Sequence, residues 1–275
     1  MEEPVNLFFL KNLNSKRNPE TVTSIGFGLI LILSLNGCAH LLNKSKDQEK
    51  AQIYIQLAAD EFAQKEYGKA TDSIHQALKF NPDFPSAYNH LGIIYMETKR
   101  FTKSEEAFKK ALQLQAEFPE VQNNLGVLYN KQDRYKDSVV YFEKALANES
   151  YATPENALTN MGYSYFKIGD NAKAKIYHQK ALDITPQFCL ANKNMGDVYA
   201  REKSFDRAAD FFKKAAITCP LYQESQYKLG LALMKKGEKS LAKNELEKLV
   251  TRHKEGPYVE RSQEVLKYLN WPAAL

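Results

Sequence analysis

A glycine-centred cluster returns at nearly constant intervals along this chain, and that periodicity limits the folds open to it more than any other feature. The pairs are Leu91-Gly92, Leu125-Gly126, Met161-Gly162, Met195-Gly196 and Leu229-Gly230, with Gly-to-Gly spacings of 34, 36, 34 and 34 residues. Three residues after each Gly stand Tyr95, Tyr129, Tyr165 and Tyr199, with Leu233 in the last copy. Downstream come small residues (Ala70, Ser104, Ser138, Ala174, Ala208, Ala242), then Ile74, Phe108, Phe142, His178, Phe212 and Leu246. Ala77, Ala111, Ala145, Ala181 and Ala215 follow, and Pro82, Pro186 and Pro220 close three copies. A period of this length marks a stack of units, each too small to bury its own apolar face alone.

The pattern resembles the tetratricopeptide repeat, a helix-turn-helix of about 34 residues. Gly and Ala stand where two antiparallel helices come closest, Tyr and Phe fill the space between neighbouring repeats, and Pro ends the second helix because it cannot continue it. The expected fold is all-α, a right-handed solenoid of six repeats at 51–84, 85–118, 119–154, 155–188, 189–222 and 223–256. The first copy has Ala58 for the Gly and Glu61 for the Tyr; the sixth has lost both Tyr and Pro, as suits the ends of a stack. Residues 257–275 read as a capping helix and tail, with Val265, Leu266 and Leu269 covering repeat six and Trp271-Pro272 ending the helix.

Composition agrees with a helical protein. Of 275 residues 44% are apolar and 26% charged, with 12 Gly and 10 Pro, which argues against a disordered or collagen-like chain. A net charge of +5, dispersed, does not suggest a nucleic-acid partner. Three Cys are too few for a disulfide-built fold.

The first fifty residues differ from the rest. Residues 25–35 (I-G-F-G-L-I-L-I-L-S-L) carry no charge and, at about 1.5 Å per residue, reach roughly half way through a bilayer core. That length suits the apolar region of a secretory signal over 1–37, preceded by Lys11, Lys16 and Arg17. Leu35-Asn36-Gly37-Cys38 then resembles the lipobox of bacterial lipoproteins, in which the Cys thiol receives a diacylglyceryl group. The resemblance implies covalent lipid on Cys38 as the one attached group, with Ala39 beside it favouring the periplasmic face of an outer membrane. Residues 38–50 read as the lipidated N-terminus and a short polar tether.

No pattern for catalysis or metal binding emerges. His40, His75, His90, His178 and His253 have no ligand spacing, and there is no phosphate loop, nucleophile elbow or zinc-protease helix. The expectation is therefore no enzyme, no metal and no small-molecule substrate. His178 stands at a packing position and reads as a core histidine. Cys189 and Cys219 fall at the start of the first helix and the end of the second in one repeat, the same end of a hairpin. Two readings stay open for them: a disulfide, or separate thiols at a repeat boundary.

A partner would meet the first helices of the repeats, which build the concave wall of such a stack. The positions expected to face it are Asn89, Ile93, Met96, Asn123, Val127, Asn130, Asn160, Tyr163, Phe166 and Lys193. Asn124, Asn160 and Asn194 recur just before the Leu/Met-Gly pair, where amides can hold an extended peptide backbone.

Lipobox, six repeats and a two-residue insertion in the segment 150–156 together resemble the PilF/PilW/Tgl family of type IV pilus lipoproteins, as does Tyr54-Ile55-Gln56-Leu57 opening the first repeat. The resemblance implies a pilotin, a lipid-anchored factor that helps secretin subunits reach and assemble in the outer membrane. The alternative is a general periplasmic adaptor using the same anchor and groove to recruit cell-envelope enzymes.

Overall fold

The computed structural model describes residues 33–270, with side chains over 46–269. The leader before residue 33, the Cys38 side chain and Trp271-Pro272 lie outside what is described. Among the described residues all regular structure is helical, in thirteen helices. Packing divides the chain after Ala116 into two compact units.

The first unit holds α1 (Leu33–Ala63), α2 (Tyr67–Phe80), α3 (Pro85–Glu97) and α4 (Phe101–Leu114). Backbone helix thus runs through residues 38–50, the stretch read as a tether, where no Gly or Pro interrupts it. No helix among the described residues is long and apolar enough to cross a membrane. Ile55, Ala58, Ile74, Ala77, Ala87, Leu91 and Ile94 make the core, with Tyr54 stacked on Phe80 at 5.8 Å.

The second unit contains four helix pairs and a closing helix. The pairs are α5 (Pro119–Lys131) with α6 (Tyr135–Leu146), α7 (Pro154–Ile168) with α8 (Asn171–Ile184), α9 (Cys189–Arg201) with α10 (Phe205–Thr218), and α11 (Gln223–Lys236) with α12 (Lys239–Arg252). The last helix is α13 (Pro257–Asn270). It is anchored by buried Val259 and Ser262, with Tyr258 5.5 Å from Tyr227. Val265, Leu266 and Leu269, expected to lead that contact, are only half-buried.

Local chemistry explains where the helices start and turn. Pro85, Pro119 and Pro154 open α3, α5 and α7, where a missing N–H costs nothing. Between the two helices of each pair one residue takes the left-handed conformation: Lys65, Lys99, Asp133, Gly169, Lys203 and Gly237. The next residue's N–H then reaches back to a carbonyl of the first helix, as in Arg100 to Tyr95 (2.7 Å), Asp170 to Tyr165 (2.9 Å) and Ser204 to Tyr199 (2.9 Å). Within each pair the repeated Gly admits a large side chain sixteen residues on: Phe108 on Gly92, Phe142 on Gly126, His178 on Gly162, Phe212 on Gly196 and Leu246 on Gly230. Tyr129, Tyr165 and Tyr199 also pair with an aromatic of their own second helix, Tyr141, Tyr177 and Phe211, at 5.2–5.5 Å.

The insertion has a packing role. Asn148 Oδ1 accepts from the Ser150 N–H at 2.9 Å, turning the chain so that Tyr151 enters the core with Val139, Phe142, Ala145, Ala157 and Met161. Burial there, the largest influence on the group, pushes the Tyr151 phenol up to about 12.

Candidate functional site: the first-helix faces

In the first unit the expected wall is closed. Asn89, Ile93 and Met96 are buried, Ile93 and Met96 at 3% exposure. Ile93, Ile94 and His90 of α3 meet Ala58, Ala59 and Phe62 of α1 around a cavity of about 10 Å³, room for at most one water. His90 Nδ1–H donates to the Ser86 carbonyl at 2.7 Å. Burial outweighs that bond and holds the imidazole below its usual range. Asn89, Ile93 and Met96 are therefore not open groove positions: all three are buried, Ile93 beneath the small and aromatic side chains of α1.

In the second unit the amides bind one another. Asn160 Nδ2 donates to Asn123 Oδ1 at 3.3 Å, and Asn130 Nδ2 to the Asn160 carbonyl at 3.5 Å. Ser164 Oγ lies 2.9 Å from Asn130 Oδ1 and 2.8 Å from Ser138 Oγ. This chain of bonds ties α5 to α7. Asn194 is buried as well, with no open amide to offer a partner. Val127 packs on the core between α6 and α7.

Lys193 is also no open contact, being 4% exposed on α9. It stands 3.4 Å from Asp197 and 3.7 Å from Glu224, while Lys228 lies 2.7 Å from Asp197 and 2.5 Å from Glu224. Burial alone would raise the Glu224 carboxyl, but Lys193 and Lys228 outweigh it and hold the group down to about 2. For Lys228 burial is likewise overcome by Asp197 and Glu224, which raise it. The four charges cancel and fasten α9 to α11.

What stays partly open is aromatic and cationic. Tyr163 meets Tyr135 edge-on at 6.5 Å, and Lys167 Nζ lies 5.7 Å from both rings. Arg201 covers Phe166 with its guanidinium 3.2 Å from the ring centroid, and also donates to Asn171 Oδ1 at 3.3 Å. Cations over aromatic faces combine apolar contact with positive charge. Sequence reading found Tyr163 and Phe166 but missed Tyr135, Lys167 and Arg201, whose spacing along the chain (32 and 66 residues from Tyr135) gives no local signal. Among the described residues no cluster of His, Cys, Asp and Glu could hold a metal ion.

Comparison with known proteins places this architecture. Profiles described as tetratricopeptide repeat match residues 83–149, 155–188 and 224–255. Human tetratricopeptide repeat protein 6 is 33% identical over 64 residues, a stretch that spans 23% of this chain and 12% of that protein. The crystal structure of PilW, described as a widely conserved type IV pilus biogenesis factor, is 27% identical, with a TM-score of 0.70 over 78% of this chain and 98% of that one. Pseudomonas aeruginosa PilF is 19% identical, with a TM-score of 0.68 over 80% and 99% of the two chains. Cut9, in its complex with Hcn1, reaches a TM-score of 0.69 at 16% identity over 81% of this chain and 43% of that one, so structural likeness of this size alone reports the fold. The chain is therefore built from tetratricopeptide repeats, in an arrangement similar to that of PilW.

Proposed function

We propose that this chain is an outer-membrane lipoprotein that binds secretin subunits through its repeats and promotes their localisation and multimerisation for type IV pilus biogenesis. The observation that carries the reading is the likeness to PilW, which extends over 98% of that chain at 27% identity. The Leu35-Asn36-Gly37-Cys38 sequence supports the anchor, since acyl chains on Cys38 would hold the repeats at a membrane surface. The Tyr163, Phe166, Lys167 and Arg201 face supports a protein partner, offering aromatic contact and cations to a segment with exposed carbonyls or carboxylates. Anchoring such a face beside the assembling subunits raises their local concentration and favours ring formation.

The test is a deletion strain whose unheated outer-membrane extracts are examined for the detergent-resistant secretin multimer. Wild type or Cys38→Ala is then returned. Loss of the multimer on deletion, with rings misplaced by Cys38→Ala, is the expected result. Unchanged multimers overturn the reading and leave the general envelope adaptor.

A further inference from the structure

The fifth helix pair has a corner unlike its neighbours. Its first helix opens with Cys189, where α3 and α5 open with Pro85 and Pro119. Its second helix ends at Cys219, the C-cap of α10. The Cys219 N–H bonds to the Ala215 carbonyl at 2.9 Å, and the Cys189 thiol points at that same carbonyl from 3.8 Å. Both thiols are half-buried, and the two cysteines converge on the one Ala215 carbonyl, Cys219 through its backbone and Cys189 through its sulfur. The same corner in the next pair is also tied: Gln223, in the place of Cys189, donates from Nε2 to the Glu255 carbonyl at 3.0 Å, just past the end of α12. The start of one helix and the end of its partner thus meet at this corner in both pairs, and in α9/α10 the residues that open one helix and cap the other are both Cys.

We infer that Cys189 and Cys219 are a dithiol that closes to an intrachain disulfide, cross-linking α9 to α10 where the hairpin would otherwise open. Both S–H bonds break, one S–S bond forms, and two protons and two electrons pass to the disulfide of a thiol–disulfide oxidoreductase or of oxidised glutathione. Cys189 is a poor nucleophile in the reduced form: burial, reinforced by the neighbouring thiol, raises its thiol well above the ordinary range. Attack by the Cys189 sulfur is therefore slow without a catalyst. In the cell the inference rests on the proposed export for its oxidising compartment; the chemistry itself does not.

The experiment uses the full chain carrying Cys38→Ala, so that of the three cysteines only this pair remains. After incubation in oxidised and reduced glutathione, the expected result is loss of both alkylatable thiols and a linked 189–219 peptide. The melting transition should lie about 5 °C or more above that of the reduced protein. Cys189→Ser and Cys219→Ser should each show no such redox-dependent shift while keeping their helical circular dichroism. Two thiols that remain alkylatable, or that form only mixed disulfides with glutathione, overturn the inference. Trapping the thiols in intact cells separates the two readings: a pair that closes in the buffer but is reduced in the cell overturns the export reading and leaves the pairing standing.

Discussion

The imidazole of His178 lies against Gly162 so closely that a carbon added to the glycine would come within 2.6 Å of the ring. Phe108, Phe142 and Phe212 make the same contact on their own glycines. The imidazole fills the space of a Phe, but both of its ring nitrogens are buried without a hydrogen-bond partner. An unmet buried polar group costs about 1–3 kcal/mol.

That contact makes stability depend on acid. Burial, helped by the charge of Lys193, lowers the His178 imidazole to about 3. An unfolded chain would titrate it near 6.5, so below that pH the unfolded state binds the extra proton and stability falls until pH 3. At pH 5 the loss is on the order of 2 kcal/mol. His178→Phe is expected to raise the melting temperature at pH 7 and to flatten its decline between pH 7 and 5. Melts at the two pH values check both.

Glu224 has the opposite sign. A carboxyl held at about 2 contributes stability that is complete above roughly pH 4.5 and is lost as pH falls toward 2. Glu224→Gln strips one partner from Lys193, a lysine with little access to water, and should cost about 2 kcal/mol at pH 7. The double change Lys193→Met/Glu224→Met removes the charge pair together and should recover part of the loss, measured by denaturant unfolding.

The insertion between the third and fourth repeats should be structural before it is anything else. Tyr151 is 7% exposed within the core of α6 and α7, so Tyr151→Ala is expected to cost about 3 kcal/mol. Tyr151→Phe keeps the packing and should cost well under half of that. If the alanine variant unfolds no more easily than wild type, the insertion is not held by its tyrosine.

At the turns, Lys203 occupies a left-handed conformation with φ of 59°, which suits glycine far better than a side chain. Lys203→Gly should stabilise by about 0.5–1 kcal/mol, whereas Gly169→Ala, at φ of 96°, should destabilise by about 1 kcal/mol. Chemical denaturation of the pair reads both signs.

Such turns also show what the sequence could and could not convey. Helix pairing was legible because the Gly92/Phe108 type of contact needs a fixed spacing and recurs five times. The left-handed turn recurs as regularly, yet four of its six positions hold Lys or Asp, so backbone geometry is set there by the bond to the preceding helix and not by residue type. The groove was less legible for a related reason. Whether Asn160 faces a ligand or Asn123 depends on an amide 37 residues away, and whether Ile93 is open depends on Phe62 and Ala58 of another helix. Periodicity identifies the face of a helix; its neighbours decide how much of that face is left.

Each helix pair is also closed by its own hydrogen bond across the left-handed turn, within fewer than ten residues of sequence. Structure of that kind needs no distant partner to begin forming, so folding can start at any hairpin and spread to the next. The same locality governs mechanical failure. A chain pulled from its ends would release one hairpin at a time, each step lengthening the tether by about 120 Å, the extended reach of 34 residues.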